Sequence, residues 1–264
     1  MPPAPLPVSG IAMAVREPTG EDEVYLVETA LPPLPALLGL ARRATSGAAG
    51  EPLDWPGLPV TDLAAAALLI RHRWLGDGIR TEATCPHPDC RELIDVGFST
   101  ADYLRHHRPR LTRGVLQATE PGWFTLAGET VRFRVPTVAD LLEVGAGPLG
   151  GDDAVANLLT RRCVAAAEIS RALARRLDRA FSGVAPSLDD LVGGSCPECG
   201  HAVTLRFEPL AYTLAELRDA FSGIYLQTHA LASAYGWPEE AILALPRGRR
   251  IRYASIIASQ RAVA

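Results

Sequence analysis

Two short cysteine knuckles far apart in the chain, Cys85-Pro-His-Pro-Asp-Cys90 and Cys196-Pro-Glu-Cys199-Gly200, constrain its fold more than any other feature. Each knuckle supplies two thiols, whereas a structural metal ion takes four ligands in a tetrahedron. The economical arrangement brings both pairs to one ion and loops out residues 91–195 between them. A proline inside the second pair and a glycine after it suit a turn that aims backbone amides at the sulfurs, because glycine permits positive φ. The expectation is one structural zinc ion on Cys85, Cys90, Cys196 and Cys199. A redox Cys-x-x-Cys is a weaker reading, since the motif precedes a strand pattern and not the helix start that would lower a thiol pKa. Inert buried thiols are the other alternative. His87 and His201 could each replace a cysteine, but four thiols leave no vacancy for them. Cys163 falls on an apolar helical stripe and reads as a core thiol.

With 264 residues, 48% of them hydrophobic and 21% charged, the chain is expected to be soluble and globular with a sizeable core. The net charge of −4 gives no general reason to expect nucleic acid or an anionic membrane as partner. All 26 cationic side chains are arginine, consistent with GC-rich coding, and the absence of lysine excludes Schiff-base, phosphate-loop and Ser–Lys chemistry. Met1 to Gly10 lacks the form of a secretory signal, and the most apolar run, Leu63 to Ile70, is too short to span a bilayer. A cytoplasmic setting with reduced thiols is expected.

Along the chain, Ile11–Val15 and Val24–Val27 read as a hairpin across Pro18 to Asp22, followed by a short helix over 36–43. Thr61 or Asp62 is expected to cap a helix over 63–74 that Gly76 and Gly78 stop. Strands over 80–84 and 93–98 flank the first knuckle, Ser99 caps a helix over 100–107, and a hairpin spans 123–135. Thr137 then opens a helix through Asp140 to Val144. Gly145 to Gly150 matches G-x-G-x-x-G but follows a helix and contains Pro148, so it is a loop and not a dinucleotide site. Leu159, Cys163, Ala166, Ser170, Leu173, Leu177 and Ala180 form one amphipathic stripe. Thr213-x-x-Glu216 reads as a capping box for a second long helix with the stripe Leu214, Leu217, Phe221, Ile224, Thr228, Leu231 and Tyr235. Gly236 ends it, and Pro238 and Pro246 start two shorter helices. The expected fold is α+β, mainly helical with short β-hairpins and a discontinuous zinc-ribbon-like module. Residues 1–60 form an N-terminal hairpin and linker. Residues 61–209 form a helical core holding the module (78–100 plus 194–209), and 210–264 a C-terminal helical region.

Nothing points to catalysis. Four thiolates leave a zinc ion no open position for water. The deaminase, zincin, nucleophile-elbow and phosphate-loop patterns are absent from the sequence. Arg247, Arg249 and Arg250 crowd the start of the last helix, and Arg105 to Arg110 makes a second basic cluster. Both read as solvated faces or as partners for carboxylates in this chain or another protein, with nucleic acid ranked lower.

The run from Thr228 to Tyr253 resembles the C-terminal signature of the baseplate hub and hub-assembly proteins of T-even-like phages and related contractile injection systems. The matching positions are His229, Leu231, Ala232, Tyr235, Gly236, Trp237, Glu239, Glu240, Ile242, Leu243, Arg249, Arg250 and Tyr253. Members from injection-system clusters also carry two Cys-Pro knuckles and an Arg-x-Pro-Thr-x-x-Asp-Leu stretch, matched here by Arg134, Pro136, Thr137, Asp140 and Leu141. The likeness runs from about residue 60 onward, and the first knuckle is longer than the family's usual Cys-x-x-Cys. It implies a non-enzymatic baseplate component or assembly chaperone, with no small-molecule substrate and no catalytic residues. Tyr235, Trp237, Arg247, Arg249, Arg250 and Tyr253 would meet other baseplate, hub or spike proteins. The alternative is a zinc-ribbon nucleic-acid-binding protein.

Overall fold

The computed structural model describes residues 2–120, 122–128, 131–145, 152–166 and 168–263. The chain opens with strand β1 (Ala4–Pro5), antiparallel to β2 (Ala12–Val15). The expected return strand over 24–27 is instead helix α1 (Gly20–Glu28). Its start is a capping box: the Asp22 carboxylate accepts the Thr19 amide at 2.8 Å, while Thr19 caps the first turn. Glu21, Asp22 and Glu23 then lie where the helix dipole favours negative charge. After α2 (Pro33–Ala44) comes β3 (Thr45–Gly47), which pairs with the free edge of β2 and completes a three-stranded sheet. Gly39 lets α1 lie close to α2, because a Cβ there would stand 2.1 Å from the Tyr25 hydroxyl.

Helix α3 (Val60–Leu75) is the centre of the molecule. The apolar run that is too short for a membrane is buried on nearly every side, Leu63, Ala65, Ala66, Leu68 and Ile70 all being at most 1% exposed. Pro59, not Thr61 or Asp62, occupies the cap position. Asp62 instead reaches back to accept the amides of Val8 and Ser9 at 2.8 and 2.9 Å. Arg71, at the other end, forks onto Glu216 and donates to the carbonyls of Gly76 and Gly78.

The knuckle hairpin follows as β4 (Gly78–Thr84) and β5 (Leu93–Ser99), then α4 (Thr100–His106), which Ser99 caps as expected. Strands β6 (Val115–Gln117), β7 (Trp123–Leu126) and β8 (Arg132–Arg134) form a second sheet, followed by α5 (Val138–Gly145). The glycine-rich run after Gly145 lies outside the described residues. The single helix expected across 159–180 is broken: α6 (Asp152–Cys163) gives way to β9 (Val164–Ala165), and α7 (Arg171–Val184) begins afresh. Val164 pairs with Phe133 at the open sheet edge, and the Ser170 hydroxyl caps α7 by accepting the Leu173 amide. Phe133, Leu177 and Ala180 form a core there with Val115 and Leu126.

Strands β10 (Asp190–Ser195) and β11 (Ala202–Phe207) carry the second knuckle. Helix α8 (Pro209–Phe221) starts ahead of the expected Thr213 box, with Pro209 at its first position and Thr213 buried inside it. Leu214, Leu217 and Phe221 share a core with Leu37 of α2 and Ile70 of α3. The long helix ends at Ser222-Gly223 and resumes as α9 (Ile224–Tyr235), which Gly236 terminates in the left-handed conformation at φ 66°. Helices α10 (Glu239–Leu243) and α11 (Arg247–Val263) fold back on α9 around Leu231, Ile242 and Ile257. The fold is α+β, mainly helical with small antiparallel sheets. Among the described residues no helix is long and apolar enough to cross a membrane.

Candidate metal centre

Both knuckles are built to one plan, as the connecting loops at the closed ends of two antiparallel hairpins. Beyond the last β4–β5 pair, Thr84 opposite Leu93, the Cys85 amide donates to the Glu92 carbonyl at 2.9 Å. Beyond Ser195 opposite Ala202, the Cys196 amide donates to the His201 carbonyl at 2.8 Å. The residue after each second cysteine is left-handed: Gly200 at φ 72° and Arg91 at φ 55°, the latter the one non-glycine residue with positive φ among the described residues. The two extra residues of the first knuckle are taken up in a turn closed by the Cys90 and Arg91 amides on the His87 carbonyl, each at 3.1 Å.

Residues far apart in sequence thereby put four sulfurs together. Cys85 Sγ lies 3.6 Å from Cys199 Sγ and Cys90 Sγ 3.8 Å from Cys196 Sγ, and all four fall within 4.8 Å of one another. A disulfide would need ~2 Å. A tetrahedron of thiolates with metal–sulfur bonds of ~2.3 Å has sulfurs ~3.8 Å apart, so the cage fits a metal ion. Cys85 and Cys196 are buried, Cys90 partly so, and Cys199 faces solvent. Ala83, Ile94 and Val203 enclose the inner side with apolar contacts.

So many thiols cannot ionise together without a cation between them. The Cys199 and Glu198 amides pull the Cys196 thiol down to about 7. The Glu92 amide draws Cys90 the same way, but burial and the neighbouring sulfurs outweigh it and push that thiol up to about 12. Burial also raises Cys85. A bound cation would balance the charge that the protein alone holds back.

His87 and His201 pack ring against ring, 5.3 Å between centroids, and the set of mutually close ligand atoms contains the sulfurs and no imidazole. Cys163 is fully buried on α6, where burial pushes its thiol up to about 11. It adjoins a network that accounts for the Arg134-x-Pro136-Thr137-x-x-Asp140 stretch in structural terms. Arg134 forks onto Asp140, which also accepts the Thr137 amide and hydroxyl, each at 2.9 Å.

Of the C-terminal residues expected to face a partner, the aromatic ones cluster. Tyr235 stacks on Trp237 at 4.9 Å, and Tyr253 meets Trp237 edge-on at 5.4 Å. Tyr235 and Arg249 are exposed, whereas Trp237 and Tyr253 are half-buried. Arg250 points inward: it is 0% exposed and pairs with the buried Glu23 at 2.5 Å. Arg247 lies over the Phe221 ring and donates to the Ala220 carbonyl. The basic cluster is therefore divided, two arginines serving an internal contact and one facing outward. Glu23, its buried acidic counterpart, was not singled out from the sequence; a carboxylate on the inner face of an amphipathic helix was the available signal.

No protein-family model, curated protein or solved structure matches the chain.

Proposed function

We propose that the chain is a non-enzymatic component or assembly chaperone of a phage-tail-like contractile baseplate, held in shape by one structural zinc ion and made in the cytoplasm. The observation that carries the scaffold reading is the closed four-sulfur cage joining two hairpins from opposite ends of a long insertion. Zinc suits it because soft thiolates in a tetrahedron match an ion with no d-electron geometric preference. Cys85, Cys90, Cys196 and Cys199 would hold it, and its contribution is cross-linking and charge balance. A filled thiolate shell leaves no position for an activated water, which favours a framework over a reactor.

The baseplate assignment rests on the resemblance of residues 228–253, and the exposed Tyr235 and Arg249 beside Trp237 and Tyr253 give that segment a face to present. Metal analysis of purified protein should return one zinc per chain. Tagged protein should recover hub or spike subunits from cells building such particles, and Tyr235→Ala with Arg249→Glu should weaken that recovery. Retrieval of none of these subunits, together with normal particle assembly by the double variant, would overturn the baseplate reading and leave the metal site standing.

A further inference from the structure

We infer that the basic cleft between residues 105–115 and α7 is a docking site for an acidic polypeptide segment with an apolar anchor. This inference does not depend on the baseplate reading. The cleft encloses about 630 Å³, and its walls carry Arg108, Arg110, Arg113, Arg176 and Arg179. A shallower depression shares His106, Arg108 and Arg110 with it and continues past Arg105, so the surface is a groove and not a single hollow. In a chain of net charge −4, this is a concentrated patch of the opposite sign.

The groove is braced by its backbone. The Arg110 amide donates to the Gly183 carbonyl of α7 at 2.7 Å. The contact is tight enough that a Cβ on Gly183 would stand 2.5 Å from Thr112 Cγ2 and 2.9 Å from the Arg110 carbonyl. Across the groove, Arg176 donates to the Ala127 carbonyl at 2.9 Å. Among the described residues the exposed guanidinium groups of Arg108, Arg110 and Arg113 have no carboxylate partner. Of the two aspartates along the groove, Asp102 pairs with Arg105 and Asp190 lies 3.9 Å from His107.

Guanidinium forks bind carboxylates and phosphates alike, so the floor decides between them. Grooves that track single-stranded nucleic acid pair basic residues with aromatic platforms for the bases. No Phe, Tyr or Trp lines this cleft; Val115, Leu126 and Pro186 do, and of its two imidazoles His107 is buried against Tyr103 while the exposed His106 meets His107 edge-on. An aliphatic floor beneath a row of arginines fits an acidic peptide that lays one aliphatic side chain inward.

The test is fluorescence anisotropy with the full chain and a labelled peptide of about twelve residues, Glu and Asp flanking a central Leu pair. Saturable binding is expected. Arg110→Glu with Arg113→Glu should weaken it by about tenfold or more. Arg42→Glu with Arg80→Glu, the same charge change at exposed sites elsewhere, should leave it within about twofold. Replacing the Leu pair by Ser should weaken binding several-fold. Equal losses from both double variants, no effect of the Leu replacement, or no saturable binding would overturn the proposal. So would tighter binding of a twelve-nucleotide oligothymidylate, which would assign the groove to nucleic acid.

Discussion

Chelating the proposed zinc ion should cost the chain about 4–5 kcal/mol, and two independent routes lead to that size. If the ion leaves on unfolding, zinc at about a thousand times its dissociation constant stabilises the folded state by ~4 kcal/mol. If one knuckle keeps the ion in the unfolded chain, the loss is the closure entropy of a loop spanning 91–195, ~4.7 kcal/mol for a loop near that length. For a chain of this size the melting temperature should then fall by roughly 10–20 °C. The effect should be local before it is global. The outer ends of both hairpins are anchored away from the metal, where Ile79 and Phe207 pack with Ala65 and Leu68 of α3 and with Tyr103. Among the described residues the tips hold a small cluster, Ala83, Ile94, Val203 and the cysteines with Val96 and Leu205 beside them, and the His87–His201 ring contact. Hydrogen exchange on the chelated protein should therefore lose protection at 84–93 and 195–202 while α3 keeps its own. Cys85→Ser should reproduce that pattern without chelator. Unchanged melting and unchanged tip protection after verified metal removal would refute the clasp, since the small apolar cluster and the His87–His201 contact would then suffice to hold the two knuckles together.

Three other perturbations have readable outcomes. Arg91→Gly should raise stability by up to about 1 kcal/mol, measured by urea unfolding, because it removes a side chain from a left-handed position that Gly200 fills in the sister knuckle. Glu23→Ala should cost about 3–5 kcal/mol by leaving the fully buried Arg250 without a counter-charge, whereas Glu23→Ala with Arg250→Met should recover much of it. Asp140→Asn should cost about 2 kcal/mol at neutral pH through loss of charge-assisted bonds from Arg134 and Thr137. The Arg134 guanidinium holds the Asp140 carboxyl below its ordinary value, so its contribution is complete above the unfolded pKa of ~3.9 and is lost as pH falls below it. Urea midpoints of wild type and variant should therefore draw together progressively as pH falls below about 4.

The four-sulfur cage was legible because its requirements are local and chemical: two thiols at short spacing, a turn, and a partner pair elsewhere. Hairpins around the knuckles and the Ser99 cap followed from the same short-range rules. What misled was competition between equally local signals. Pro18 and Gly20 read as a turn, yet Thr19 with Asp22 is a capping box, and the helix it starts hides Tyr25 and Leu26 against α2 and α8. Thr213 with Glu216 has the capping-box spacing, yet Pro209 already starts the helix and the Glu216 carboxylate is taken by Arg71. The stripe from Leu159 to Ala180 keeps helical spacing across its break only by coincidence of register. The unpaired edge of β8 recruits Val164 as a strand, a tertiary demand that no window of sequence contains. Arg250 looked like surface charge because its carboxylate lies on α1, at the other end of the chain.

The central helix shows why buried charges accompany so small-sided a core. Ala64 to Ala67 give α3 a surface on which neighbours can come close, but alanine interdigitates weakly and leaves the axial position of each neighbour loosely specified. Directional contacts at the two ends supply what the middle lacks. At the start, Asp62 fixes the N-terminal turn through two backbone amides. At the end, Arg71 fixes α8 through Glu216 and the root of the knuckle hairpin through Gly76 and Gly78. Each is nearly inaccessible, so removing one partner strands a polar group where water cannot replace it. The chain returns from its long insertion through β10 and β11, whose outer end packs on α3 through Leu188 and Phe207. Beyond that end the second knuckle must find the first, and there a metal ion, indifferent to side-chain packing and demanding only four sulfurs at fixed distance, would impose one alignment on the two hairpins.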